Sequence, residues 1–520
     1  MSPEYLSPGV YVEEIDKGTK PIEGAGTACA AFVGFAEQGP ANQPTFIPNF
    51  TEFVNTFGGF IKGGYLAPAV YGYFQNGGGR CYVTRLPGAE GEEAAEAKAV
   101  AALPSAAKPS VESLVITALE AGPAGAEISV EVAKPSGEDV PEDQFDLIVR
   151  RGDTEEVFDK LSFSKAKAAR NVLDVVNKES KLIKVALKEA TLSMAERVPA
   201  LGKYSLAVAE ATSTALAPVS AEVIVGDAAE RSGVLGFEVA DDVTMLCVPD
   251  LMALYRGGAI SMEGVKAVQL AMIAHCENMK DRFAILDCPP GLTPQQMKEW
   301  RMDTAGYDTK YGAVYYPWLR IGNPMGNGES ILVPPSGHMA GIYARSDNER
   351  GVHKAPANEV VRGAMAVEMQ ITKGEQDILN PIGVNCIRAF PGRGIRVWGA
   401  RTLTSDASWR YINVRRLFNF VEKSIERGTQ WIVFEPNDPD LWARIRRDIT
   451  AFLTNVWRSG ALFGATPAQA FYVKCDEELN PQSVRDLGQV IIEIGMAPVK
   501  PAEFVIFRIS QWATGSETSE

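Results

Sequence analysis

Histidine is scarce in this chain: His275, His338 and His353 are the only three among 520 residues. His275 falls in a helical pattern beside Cys276, and no second ligand follows at a metal-binding spacing. A packed or partly exposed helix histidine is therefore expected there. The seven cysteines (Cys29, Cys81, Cys247, Cys276, Cys288, Cys386, Cys475) are scattered singly, and no CxxC pair occurs. An odd, unpaired set argues against a complete disulfide framework and for cytoplasmic folding with reduced thiols. No stretch approaches the ~20 apolar residues that a membrane-spanning helix needs. The opening MSPEYLSPGV lacks both a basic start and an apolar run, so no secretory leader is expected. No internal repeat of solenoid length is present.

Catalytic patterns are missing as well. PPSGHMAG sets Ser336 near His338, but a nucleophile elbow needs GxSxG on a strand-to-helix turn. NGGGR at 76–80 lacks the lysine and spacing of a phosphate loop, and a helix end followed by a tight turn explains its glycines. Asp287 and Cys288 in LDCPPG stand at a strand's C-terminal end, where α/β enzymes place active groups. No partner base is identifiable, and a packing cysteine is the favoured interpretation. No catalytic, cofactor-binding or metal-binding residue is assigned, and no cofactor is expected.

What is present is an ordinary folded composition, 46% hydrophobic and 22% charged, in a chain long enough for several domains. The formal net charge of −14 argues against nucleic acid as a direct partner. ACAAFVGF (28–35) reads as a buried strand closed by a Gly39-Pro40 turn. A helix is expected over Leu66–Gln75, with Gly77 as its C-cap, before RCYVTRL (80–86) returns as a strand. Residues 88–109 are Ala/Glu-rich and read as a linker. Beyond them, alternating segments such as QFDLIVRRGDTEEVFDKLSF predict half-exposed strands, so 88–234 is taken as an inserted β-rich domain. From Asp241, apolar strands alternate with helices: VTMLCVPDL, a helix over 260–280, FAILDCPPG, a helix near Pro294–Arg301, then YGAVYYPWL. That order is the signature of a mostly parallel sheet with covered faces. The fold class is therefore α/β with mixed α+β parts, divided at 1–20, 21–87, 88–234, 235–379, 380–500 and 501–520.

Two stretches at the chain's extremes are unusual. YLSPGVYVEEIDKG and PAEFVIFRISQW both look like strands, although termini are usually polar and loosely held. From pattern alone they are either edge strands of the chain's own sheet or strands offered to a neighbour. In NDPDLWARIRRDITAFLTNVWRSG, Asp438 and Pro439 start a helix whose Leu441, Ile445, Ile449, Phe452 and Val456 share one face. Arg444, Arg447 and Arg458 project away from that stripe, which by pattern alone is a solvated basic face.

FVGFAEQGP, FTEFVNTFGGF and AVYGYFQNGGGRCYVTRL resemble the start of contractile tail sheath proteins. NPIGVNCIRAFPGRGIRVWGARTL, WRYINVRRLFNFVEKSIERGTQWIVFEPND, LWARIRRDITAFLTNVWRSGALFGATPAQAFYVKCD and VIIEIGMAPVKPAEFVIFRI resemble that family's C-terminal region, with wording closest to its injection-system branch. The resemblance implies a subunit that polymerises helically around an inner tube protein and contracts, with baseplate and cap proteins as further partners and no membrane insertion. It implies a central domain of subtilisin-like outline without protease activity. It also implies that both terminal arms join the C-terminal-domain sheet of neighbours. Val10, Tyr11, Val12 and Ile15 in one arm, and Phe504, Val505, Ile506, Phe507 and Ile509 in the other, are then inter-subunit contacts, with Gly18 and Pro498–Pro501 as joints. Arg444, Arg447 and Arg458 become a tube-binding face. A cytosolic α/β hydrolase and an adhesive surface or storage protein are the competing readings.

Overall fold

The computed structural model describes residues 21–87, 98–106, 112–121, 125, 127–135, 141, 143–152, 154–164, 169–187, 198–208, 219–326 and 329–507. They fall into two compact units, one within Met1–Pro87 and Ala215–Glu520, the other within Gly88–Thr214.

The larger unit is organised by an eight-stranded sheet. Its strands in chain order are β1 (Cys29–Gly34), β2 (Thr45–Ile47), β3 (Arg80–Arg85), β4 (Met245–Cys247), β5 (Phe283–Asp287), β6 (Gly312–Tyr316), β7 (Val384–Phe390) and β8 (Gly394–Val397). Their spatial order is β2-β3-β1-β4-β5-β6-β7-β8. All pairings from β3 to β7 are parallel, and only the two edge pairs, β2 with β3 and β7 with β8, are antiparallel. The central strands are almost wholly apolar, as expected of a parallel sheet covered on both faces: CAAFVG, FAILD and GAVYY are buried at every position, with Asp287 the one charged residue among them. The α/β class expected from strand–helix alternation is the one observed.

Four helices matter below: α1 (Leu66–Gln75), α2 (Ser336–Arg350), α3 (Ile412–Gly428) and α4 (Pro439–Arg458). Helices α1 and α2 pack almost backbone to backbone. A Cβ added at Gly337 would lie 2.4–2.6 Å from Ala69, and one at Gly72 would lie 2.4 Å from the His338 ring. Only glycine permits that approach. Helix α3 is tied to α2 by a buried bidentate pair, with Arg416 Nη1 and Nη2 donating to Asp347 at 2.9 and 2.6 Å. Arg416 Nη2 also donates to the Thr27 carbonyl at 2.9 Å. The bidentate geometry, with the added bond to Thr27, is what lets such a pair survive burial.

A second core lies around α4, where Leu417, Val421, Leu441, Ile445, Ile449, Phe452 and Val456 pack with Leu462, Phe471 and Cys475. Its sheet is small: β9 (Phe471–Lys474) pairs antiparallel with β10 (Glu493–Met496), and neither has another strand neighbour among the described residues.

The smaller unit is β-rich. One sheet orders Ile183–Leu187, Glu112–Ala121, Lys98–Pro104 and Ala207–Val208; the other orders Gly202–Ser205, Ser129–Ala133, Phe145–Arg151, Thr154–Ser162 and Arg170–Asn171. Alternate side chains of both sheets, Leu103, Leu114 and Ile116 with Val130, Leu147 and Val149, share one core. Two boundaries differ from the sequence reading. The segment read as a linker contains the strand Lys98–Pro104, whose alanines conceal its alternation because alanine is a poor strand former. Residues expected to end the insertion at 234 belong instead to the larger unit, where Val219, Ile224 and Val234 are buried in the main core.

Candidate functional site

The hydrolase reading turns on Ser336, His338 and Asp287. Ser336 opens α2, and its hydroxyl donates to Asp287 Oδ2 at 2.6 Å while its backbone N–H donates to Oδ1 at 3.0 Å. Asp287, at the end of β5, thus satisfies the first donors of a helix. Burial pushes its carboxyl up to about 7, against the two bonds from Ser336 that pull it down. His338 is buried against Gly72, its Nδ1 has no hydrogen-bond partner among the described residues, and burial pushes it down to about 4. No relay runs from serine to histidine, and all three groups are buried. This is a helix-capping contact inside the core. Cys288, whose thiol burial pushes far up, donates to the Tyr315 carbonyl at 3.6 Å. All seven cysteines are buried and free. Among the described residues, no group of histidine, cysteine, aspartate and glutamate is placed to hold a metal, and no helix is long and apolar enough to cross a membrane.

The surface is more informative. After Pro498, whose backbone bridges to Leu462, and Val499, which donates to the Ala461 carbonyl at 3.2 Å, the chain reaches Glu503. Glu503 Oε1 accepts from Asn380 Nδ2 at 2.6 Å and Arg401 Nε at 2.9 Å; Oε2 accepts from Arg401 Nη2 at 2.7 Å and Tyr411 Oη at 3.0 Å. Burial works to raise this carboxyl, but the bonds from Arg401 and Asn380 prevail and hold it below the usual glutamate range. Beyond this anchor the character reverses. Phe504, Val505, Ile506 and Phe507 are 71%, 69%, 78% and 82% exposed, and none joins a strand. The free segment therefore begins at Phe504; the Pro498–Pro501 stretch expected as a joint is bonded to the body. Ile509 and the N-terminal Val10, Tyr11, Val12, Ile15 and Gly18 lie outside the described residues.

Asp438 caps α4, accepting the Leu441 N–H at 2.8 Å, and the apolar stripe is buried. Arg447 and Arg458, eleven residues and three turns apart, share the exposed face. The three arginines are not equivalent. Arg444 sits 3.4 Å from Glu435 and 5.4 Å from the Trp431 ring centre, and Arg447 Nε donates to Asp448 at 3.0 Å. Arg458 has no ion pair among the described residues. The face is thus less basic than its arginine count. The Glu503 anchor went unseen in the sequence because its partners stand 92–123 positions away.

Comparison with known proteins bears on these surfaces. Residues 242–403 match the family described as phage tail sheath protein central domain, and 404–511 the phage tail sheath C-terminal domain. The tail sheath protein of Vibrio phage KVP40 is 30% identical over 198 residues, 37% of this chain and 29% of that protein. That of Enterobacteria phage T4 is 25% identical over 192 residues, 36% of this chain and 28% of that protein. The matched region thus spans less than a third of either relative. Among solved structures, the contracted helical sheath of the anti-feeding prophage is 25% identical with a TM-score of 0.58, covering 98% of this chain and all of that one. The contracted PVC sheath of an extracellular contractile injection system is 24% identical with a TM-score of 0.58, covering 98% of this chain and 99% of that one.

Proposed function

The chain belongs to the phage tail sheath family, and on that premise we propose that it is a structural, non-enzymatic sheath subunit. It polymerises helically around an inner tube and shortens to drive the tube through a target envelope. The observation that carries this reading is the segment Phe504–Phe507. Isolated apolar side chains are ordinary on a protein surface, but four consecutive ones on an unpaired backbone are an assembly element.

The unpaired edges of β9 and β10 offer the complementary feature. A neighbour's 504–507 added to such an edge forms main-chain hydrogen bonds, while alternate side chains set register. An arm of one subunit on the sheet of the next is a head-to-tail contact, which yields a helix instead of a closed dimer. The α4 face supplies the grip on the tube. An exposed electrostatic contact holds a stack in register, yet breaks when subunits move. Baseplate and cap proteins complete the particle, which is made in the cytoplasm and released by lysis.

Co-expression with a candidate inner-tube protein, followed by negative-stain microscopy, tests the reading. Striated rods of two lengths, the shorter ones wider, are expected. Discrete particles under every condition contradict it.

A further inference from the structure

Phe434 is the most exposed large apolar side chain among the described residues, fully open to solvent, and it adopts a positive φ of 69°. A bulky residue in the left-handed region is a conformational outlier, and such outliers persist where the surroundings over-determine them. Here they do. Glu435 N–H donates to the Ile432 carbonyl at 3.0 Å, and Trp442 Nε1 donates to Asn437 Oδ1 at 2.8 Å. Asn437 Nδ2 in turn donates to the Gln489 carbonyl at 2.8 Å, tying the loop to its neighbour, where Leu487 is also exposed. The loop is braced so that an aromatic ring points into water. An anchor pre-set in this way loses little freedom when it docks, which is the property of binding hot spots.

The same molecule carries a receptor. A groove of about 430 Å³ has an apolar floor of Ile22, Val352, Leu417, Phe420, Phe452 and Val456. Its rim carries Arg350, which is exposed and has no ion pair among the described residues, whereas Glu435 directly follows Phe434. Arg350 and Glu435 carry opposite charge, and among the described residues Glu435 is otherwise held only by the exposed Arg444 at 3.4 Å. Phe434 precedes the start of α4, while Phe452 and Val456 lie in its last two turns, so about 20–26 Å of helix separates knob from groove. A knob and a hole at opposite ends of one element cannot satisfy each other within a subunit. Between copies they make a non-closing contact that propagates.

We propose that Phe434 inserts into this groove on a second copy of the chain, a sheath–sheath contact separate from the terminal arms. The proposal rests on the sheath reading above. Its test places p-benzoylphenylalanine at position 434 of the full-length chain, assembled with its tube as a mixture of isotopically light and heavy subunits. After irradiation, light–heavy crosslinks mapping to Leu417–Phe420 or Phe452–Val456 are expected. Crosslinks to the tube, to the same copy, or to other sheath residues overturn the proposal. Phe434→Ala provides the second arm: an unchanged melting temperature with about tenfold or greater loss of pelletable polymer is expected, as for a hot-spot anchor. Wild-type-level assembly of that variant overturns it. Rods with crosslinks elsewhere sink only this contact, whereas absence of rods from the unmodified chain sinks the sheath reading with it.

Discussion

Arg401 and Glu503, 102 residues apart, face each other as a bidentate pair, with Nε to Oε1 at 2.9 Å and Nη2 to Oε2 at 2.7 Å. The pair is largely buried, at 10% and 19% side-chain exposure, and stands at the boundary between the bonded body and the free apolar segment. It sets where that segment leaves the subunit.

Removing the carboxylate strands a buried guanidinium. Glu503→Ala is expected to cost about 1.5–3 kcal/mol, the range for hydrogen bonds to charged groups, measured by urea unfolding at pH 7. The sign with pH follows from the lowered carboxyl: its stabilisation is complete above the ordinary glutamate value of 4.5 and is lost as pH falls through the folded-state value below it. Glu503→Gln removes that acid dependence. Equal acid sensitivity in both proteins contradicts the assignment.

Asp287 behaves oppositely. Its carboxyl is raised from 3.8 to about 7 by burial, so the folded state holds a proton that the unfolded chain releases. Stability is expected to fall as pH rises from 4 to 7, by up to about 4 kcal/mol at 1.36 kcal/mol per pH unit. Asp287→Asn flattens this slope while keeping an acceptor for Ser336. Urea midpoints at pH 5 and pH 8 for both proteins check it, and identical slopes count against it.

Excision of the smaller unit separates the two candidate boundaries. Joining Pro87 to Ala215 through a flexible linker leaves the main core intact, and a folded, soluble body is expected. Joining Pro87 to Val234 removes Val219 and Ile224 from that core. Deleting buried aliphatic side chains costs about 2–5 kcal/mol each. The longer deletion is therefore expected to melt lower or to be insoluble. Comparable melting of the two deletion variants contradicts the boundary.

These boundaries show where sequence is readable. The strand Cys29–Gly34 and the helices Leu66–Gln75 and Pro439–Arg458 declare themselves through uninterrupted apolar runs or a 3.6-residue stripe, because burial acts on local pattern. Lys98–Pro104 does not, since its inward residues Ala99 and Leu103 are separated by alanine at 101. The anchor at Glu503 and the strained backbone at Phe434 are invisible for another reason. One is assembled from three distant partners, and the other depends on a backbone angle that phenylalanine rarely adopts.

On the proposed tube-binding role, the arginine face gives that contact a salt signature. The Debye length falls from ~8 Å at physiological ionic strength to ~3 Å at 1 M, which weakens exposed charge contacts. Arg447→Glu with Arg458→Glu leaves the buried stripe of α4 untouched and is expected to abolish salt-sensitive co-sedimentation with the tube. Arg444→Glu is expected to have the smaller effect, because Arg444 is already engaged by Glu435 and Trp431. Retention of tube binding by the double variant, at low and high salt alike, returns α4 to a plain solvated face.

The most direct test of the central claim, that exposed strand sequence is exchanged between subunits, is truncation after Glu503, scored by thermal melting and by electron microscopy of particles co-expressed with the tube. The anchor and every described core residue are retained, so the melting temperature is expected to match that of the full chain. Extended rods are expected to be absent, because the backbone groups and the Phe504–Phe507 side chains proposed to reach a neighbour are gone. Rods of normal length and diameter from the truncated chain contradict strand exchange through this arm, and loss of the folded monomer assigns the segment to its own subunit.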